Sequence, residues 1–422
     1  MNRRFTTHIK SLGCALMLGV LGSCSSDDNS EQSSIIKVKP DYNVNFTQQD
    51  FNVYDGITNF SHKLISEVLT NEDDMELHGK NFVISPLNCA IDIAMLAEST
   101  DSVSAQKLCK ILEVPDIESL GTACNKVMTY LYAPENKTEI EIANSIWYAN
   151  QYAANIPARY IKKMNTTYFA DINSTDLATE AGKKAINSWI NAKTDGLIYD
   201  LNGPLEASQN LDALILSAFY FNYGDLFSFE RYSTTNGIFH TPTGDQRIKM
   251  MVTDCLIGRY EDDEKEVFIM HYRVNQWALA FIMPKNGYEM KDVCPNYEEW
   301  YAIWNHIGRP HMGTLRVPRL SIESNIELNT LSMFNTIGNM PLNGMGLPSC
   351  KIGTICQKSY FNFDEDGVES TSVSRGALSD PYPDEPSEWL YATIDRPFLF
   401  YIVNPKISTV IMEGRVLDPT KK

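Results

Sequence analysis

An α+β fold is expected for this chain, because apolar residues recur at helical spacing through the first third and give way to strand-like runs afterwards. A second observation makes it one domain: from about Phe51 to Pro419 no low-complexity break or repeat interrupts the pattern. With 43% apolar residues the chain can fill a large core, and 21% charged residues is ordinary for a soluble protein.

The elements follow in order. Phe60, Leu64, Val68 and Leu69 share a face of a first helix. Ile91, Met95 and Leu96 do so in a second, opened by Ser85-Pro86, where proline is tolerated. Leu108, Ile111 and Leu112, then Val127, Tyr130 and Leu131, extend the helical part. Strands are expected at Ile140–Trp147, Ala213–Phe221, Gln276–Met283, Thr314–Leu320, Phe398–Val403 and Thr409–Val416. Helices first, strands later and mixed order throughout point to large antiparallel or mixed sheets.

Ahead of this body, residues 1–23 carry Arg3, Arg4 and Lys10, no acid, and an apolar run from Leu12 to Leu21. The run falls short of the ~20 residues needed to span a bilayer, so a cleaved export signal is expected. Leu21-Gly22-Ser23-Cys24 resembles the lipobox of bacterial lipoproteins, which implies that Cys24 becomes the acylated first residue of the mature chain. Residues 24–50 then read as a flexible acidic tether, similar to the tag of some surface-exported lipoproteins. The expected location is the outer membrane, with display at the cell surface as its extension, and membrane contact through the lipid alone.

Charge and motifs exclude several functions. Removing the three leader cations takes the net charge from -17 to -20, a surface that repels nucleic acid. Of nine cysteines, seven remain once Cys14 is cleaved off and Cys24 acylated, with no disulfide framework; an isolated Cys350–Cys356 pair stays open. There is no Cys-x-x-Cys, no His-Glu-x-x-His, and His306 and His311 flank Gly308 and Pro310, so neither a metal nor another cofactor is expected. No nucleophile elbow or phosphate loop points to an enzyme.

One stretch is too long for an ordinary connection. Between Phe363 and Trp389 lie some 25 residues without apolar periodicity, and loops beyond ~12–15 residues in a compact domain are usually functional or disordered. In its first half Val368, Ser370, Ser372 and Ser374 alternate with Glu369, Thr371, Val373 and Arg375, so one face of an extended strand would be small. In its second half Pro381, Pro383 and Pro386 rule out an interior strand.

The ordered set of motifs resembles the serpin family nearly end to end. It comprises Asn81-Phe82-Val83-Ile84-Ser85-Pro86-Leu87, Ile186-Asn187-Ser188-Trp189-Ile190, Phe239-His240-Thr241-Pro242, Val317-Pro318-Arg319-Leu320 and Leu328–Gly338, read as the helix that follows. The tail is most specific: Lys358–Gly367, Asp395-Arg396-Pro397-Phe398, and Gly414-Arg415-Val416-Leu417-Asp418-Pro419. The resemblance implies three sheets, about nine helices and a reactive loop at about 365–390, in a monomeric inhibitor of serine-type and also cysteine-type proteases. Elastase-, subtilisin-, chymotrypsin- and papain-like enzymes are the expected partners. The implied mechanism is cleavage of the loop, covalent trapping of the acyl-enzyme, and insertion of the loop into the main sheet.

Residue by residue, Glu365, Asp366, Gly367, Val368 and Glu369 match the family's hinge, and Ser370, Thr371, Ser372 and Val373 its small-residue run. Asn88, Ser217 and Gln357, beside Ser85, match the polar cluster under the sheet opening, where the family usually carries serine, asparagine and histidine. The tryptophan usual after Phe221 is missing from Asn222–Phe229. Counting fourteen residues from Gly367 puts the acyl donor at Pro381, with Tyr382 on the leaving side. Because proline is a poor donor and the loop is longer than the family's common length, the Leu378-Ser379 and Ser379-Asp380 bonds are the easier alternatives, so the scissile region spans Leu378, Ser379, Asp380, Pro381 and Tyr382. The alternatives are a non-inhibitory serpin and a surface binding lipoprotein.

Overall fold

The computed structural model describes residues 43–73, 75–132, 139–193, 212–222, 229, 231–272, 277–327, 330–335, 337, 340–365 and 389–421. Helix α1 (Gln48–Thr70) opens on a reciprocal cap: the Thr47 N–H donates to Asp50 Oδ2 at 2.6 Å, and the Asp50 N–H donates to Thr47 Oγ1. Such a cap contributes about 1 kcal/mol. Asp50 also receives Lys126 Nζ at 2.6 Å from α4 (Ile117–Leu131), so the start of α1 is tied to its neighbour. The tether expected through residue 50 therefore stops earlier. Residues 48–50 are helical, and Phe46 packs edge-on against Tyr54 and Tyr130 at 5.8 and 5.6 Å.

Helix α2 (Pro86–Ser99) has Ser85 as N-cap and Pro86 in its first turn, and every residue except Glu98 is buried. A helix apolar on all sides belongs in the middle of a protein. Helices α3 (Ser102–Ile111), α5 (Ala158–Thr167) and α6 (Glu180–Lys193) follow, with two more at Met290–Val293 and Tyr297–Ile307. That makes eight among the described residues, where about nine were expected.

Two hydrogen-bonded sheets lie around α2. The mixed one runs β10 (Leu320–Glu327), β12 (Leu347–Phe363), β4 (Ala213–Asn222), β2 (Glu139–Ala149), β3 (Asp171–Thr175), with β11 (Pro341–Leu342) beside β12. The other runs β1 (Phe82–Ile84), β15 (Thr409–Val416), β14 (Phe398–Asn404), β8 (Trp277–Pro284), β7 (Lys265–Tyr272), β6 (Gly244–Glu261), β9 (His311–Pro318), β13 (Leu390–Thr393), with β5 (Thr235–Thr241) on β6. The 18-residue β6 pairs with β9 along Met250–Ile257 and with β7 along Leu256–Glu261. It thereby joins β1, β15, β14, β8 and β7 with β9, β13 and β5 in one hydrogen-bonded path, and the three-sheet α+β plan holds.

Strands β14 and β15 are buried throughout: β14 is apolar up to Asn404, and β15 carries Thr409, Glu413 and Arg415 into the interior among its apolar residues. Two sequence expectations change. The run Thr314–Leu320 is two strands, because Pro318 lacks a donor and Arg319 separates β9 from β10. Within Leu328–Gly338 the described residues carry a 3-10 turn at Ser332–Phe334, Thr330 and Ile337 are also in 3-10 conformation, and none of them is α-helical. Cys350 is a free thiol, which removes the Cys350–Cys356 pair.

A Cβ at Gly414 would lie 2.2 Å from the Phe82 carbonyl oxygen and 2.8 Å from the Phe400 ring, because β1 and β14 close on β15 from both sides. Gly414→Ala should therefore cost about 1–3 kcal/mol, read as a lower urea midpoint; an unchanged midpoint would contradict this packing.

Candidate functional site

The site forms where β4 meets β12. In an otherwise largely antiparallel sheet these two strands run parallel, in register from Leu214–Thr354 to Asn222–Asn362, with a one-residue shift before it at Ala213–Ile352. β4 is buried on both faces, with period two separating them. Ala213, Ile215 and Phe219 enter the main core, while Leu214, Leu216 and Ala218 pack with Trp147, Ile186 and Ile190 under α6. Ser217 falls on the main-core face, and its register partner Gln357 on β12 lies between the buried Ile355 and Phe361.

Both polar residues reach the start of α2. The Gln357 amide brackets the Ser85 backbone: the Ser85 N–H donates to Oε1 at 2.7 Å, and Nε2 donates to the Ser85 carbonyl at 2.9 Å. Ser359 Oγ donates to Gln357 Oε1 at 3.0 Å. Ser85 Oγ accepts from the Asn88 N–H at 3.2 Å and donates to the Ile411 carbonyl of β15 at 2.7 Å. On the other strand, Asn88 Nδ2 donates to Ser217 Oγ at 2.8 Å, and Ser217 Oγ donates to Asp92 Oδ2 at 2.7 Å. The sequence-named Ser85, Asn88, Ser217 and Gln357 are thus brought into one cluster.

Three members went unnamed by sequence reasoning: Asp92, Cys89 and Ser359. The signal for Asp92 was available, a lone charge inside the apolar stretch Cys89–Ala97, one turn after Asn88. Burial pushes its carboxyl well above the usual range against the pull of the Ser217 hydroxyl. Burial likewise raises the Cys89 thiol and the Glu413 carboxyl of β15, the latter against a hydrogen bond from Ser61.

At the end of β12 stands Glu365, buried although charged. Arg319 in the β9–β10 turn donates through Nη2 to Oε1 at 2.8 Å and pairs through Nε with Oε2, and the Thr234 hydroxyl donates to Oε1. Burial raises the carboxyl, but the Arg319 and Thr234 hydrogen bonds outweigh it and hold it below its ordinary value. Beyond the segment, Leu390 pairs with Gly313 at the start of β9, and the Trp389 indole donates to Thr314 Oγ1 at 3.1 Å. Arg319 and Gly313 are six residues apart, ~20 Å along a strand, whereas the 23 residues between Glu365 and Trp389 reach ~75 Å when extended. The chain there is far longer than a connection requires. Asp366, Gly367, Val368, Glu369, Ser370, Thr371, Ser372 and Val373, the scissile candidates Leu378, Ser379, Asp380, Pro381 and Tyr382, and Cys24 lie outside the described residues.

Arg319→Ala should destabilise the protein more than Glu365→Gln, because only the first leaves a buried carboxylate without its cation. Since the folded-state carboxyl is depressed, the pair's contribution is complete above the ordinary glutamate range and lost as pH falls through the folded value. Urea midpoints at neutral pH and in acid check both statements, and an Arg319→Ala midpoint equal to that of Glu365→Gln would contradict the first.

The description that matches this chain is Serpin (serine protease inhibitor), over residues 55–419. An uncharacterized serpin-like protein of Thermococcus kodakarensis is 23% identical over 392 residues, covering 90% of this chain and 88% of its own. The leukocyte elastase inhibitor of Homo sapiens is 23% identical, covering 80% and 93%. Among solved structures, a thermophilic serpin, tengpin, in the native state superposes with a TM-score of 0.73 at 21% identity, covering 91% of this chain and 97% of its own.

Proposed function

The chain belongs to the serpin family, whose members are generally protease inhibitors and not enzymes, and we propose that it is an inhibitor that traps its protease by inserting its own cleaved loop between β4 and β12. The carrying observation is the parallel seam. The chain leaving β12 at Phe363 and folding back would run antiparallel to β12 and to β4 alike. One parallel ladder would become two antiparallel ones, which are slightly more stable per residue. The register from Ala213 to Asn222 needs ~33 Å of strand, and 15 extended residues supply ~50 Å. Insertion of the reactive loop into the main sheet is a known behaviour of serpins as a family, a general case of strand addition and released strain; what belongs to this chain is the seam and the residues that would enter it.

Ser370, Ser372 and Ser374 would then face the core beside Ser217 and Gln357, and no proline lies between Glu365 and Ser379. Gly367 would supply the turn at which the inserted strand reverses. A protease attacking within Leu378–Tyr382 forms an ester or thioester with the new carboxyl terminus and releases the chain from the following amide onward. Insertion carries the attached enzyme away from the loop's first position before water completes hydrolysis. Leu378 before the cut at Ser379 suits elastase-like and papain-like enzymes, and Leu378 at the cut suits chymotrypsin-like and subtilisin-like ones. For location, the Leu21-Gly22-Ser23-Cys24 sequence supports an acyl anchor on Cys24 that holds the domain at the outer membrane.

Incubation with elastase-, papain- and subtilisin-like proteases should give an SDS-stable adduct, and Ser372→Arg should convert inhibitor to substrate, because a charge would be buried on insertion. Cleavage by every protease without adduct would contradict the inhibitory reading, and unchanged trapping by Ser372→Arg would contradict the register. Cys24→Ala should move the protein out of the membrane fraction, and its retention there would contradict the anchor.

A further inference from the structure

Gln357 and Ser217 oppose one another across the seam, yet each bonds α2 instead of its partner: Gln357 at Ser85, Ser217 at Asn88 and Asp92. The helix clasps both strands. The two halves of the clasp differ in how they are satisfied. On the β12 side both Gln357 amide atoms meet backbone groups of opposite kind. On the β4 side two buried acceptors, Asn88 Oδ1 and Asp92 Oδ1, have no partner among the described residues. They belong to residues four apart on one helix, the spacing that stacks side chains on the same face.

Both residues bond the same Ser217 hydroxyl, through Asn88 Nδ2 and Asp92 Oδ2, their remaining oxygens lack a hydrogen, and a protonated carboxyl carries one. We propose that Asp92 is a positioning residue for strand opening: a neutral carboxyl whose proton is directed at Asn88 and whose other oxygen accepts from Ser217, closing a ring that holds β4 to α2 and sets the barrier to its parting from β12. Only the last clause rests on the inhibitory reading; the ring itself does not.

The surroundings favour the neutral form. β4 faces the carboxyl with the Ser217 hydroxyl, α2 with the Cys89 thiol, and the Glu413 carboxyl of β15 shares the Cys89 surroundings; burial keeps Cys89 and Glu413 uncharged too. No cation among the described residues acts on Asp92. An ionised Asp92 would be an unpaired charge in the core.

The sign follows. A carboxyl raised on folding adds stability that is full below the unfolded value, about 3.9, and is lost as pH rises through the folded value. Asparagine at this position presents the same donor and acceptor without titrating. On the full chain, the urea midpoints of wild type and Asp92→Asn should converge near pH 4, with the wild type falling progressively below the variant toward pH 9. Differencing the two removes the contributions of Glu413 and Cys89.

The second readout is insertion of a synthetic peptide spanning Gly367–Ser379. Asp92→Ala should accept it about tenfold faster than wild type, equivalent to ~1.4 kcal/mol in the barrier, and Asp92→Asn should restore the wild-type rate. Parallel pH profiles for wild type and Asp92→Asn would overturn the proposal, as would an Asp92→Asn protein that behaves like Asp92→Ala. Should Asp92→Ala fail to fold, the two pH profiles decide alone. Absence of any protease adduct alongside divergent profiles would sink the inhibitory reading and leave the ring standing.

Discussion

The structure depends on the hold that the first two turns of α2 keep on two parallel strands. β12 and β4 are joined by a ladder that lacks the geometry of an antiparallel pair, and the side chains that fasten them, Gln357 and Ser217, reach inward to Ser85, Asn88 and Asp92. α2 can serve in this way because it is apolar enough to be buried all round except at Glu98, while its N-terminal turn keeps free backbone groups at the strands.

Charge is confined to the edges of this site. Glu365, at the exit of β12, is ionised because Arg319 and Thr234 meet it, whereas Asp92 and Glu413 inside the core have hydroxyl partners and, among the described residues, no cation. Carboxyls of similar intrinsic acidity are thus driven in opposite directions by their neighbours. The outer pair ties down the end of the described chain after β12, and the inner group bonds β4 to α2 through Ser217.

Much of this was legible in the sequence where periodicity and both-face burial are strong. Thr409–Val416 is legible to the residue, because the β-prone Val410-Ile411-Met412 run before Gly414 is buried along its whole length. Ser85, Asn88, Ser217 and Gln357 were named through a family resemblance and do converge. Less visible were features created by long-range pairing: the continuity of β6 through its pairings with both β9 and β7, the break at Arg319, and the contact of Glu365 with a residue 46 positions away. Asp92 was missed because a charge on an apolar helix was not weighed against Asn88 one turn before it. The tether was drawn too long because Thr47 and Asp50 were read as polar linker instead of as a helix cap.

On the proposed mechanism the closed seam is a metastable arrangement that gives way to an inserted strand. Cutting a chain in a long loop ordinarily leaves stability unchanged or lowers it, since the freed ends gain conformational entropy. The melting temperature of the full chain should therefore be measured before and after a single cleavage within residues 366–388. Insertion predicts that the cleaved protein melts above the intact one; a cleaved protein that melts at the same temperature or lower would contradict it.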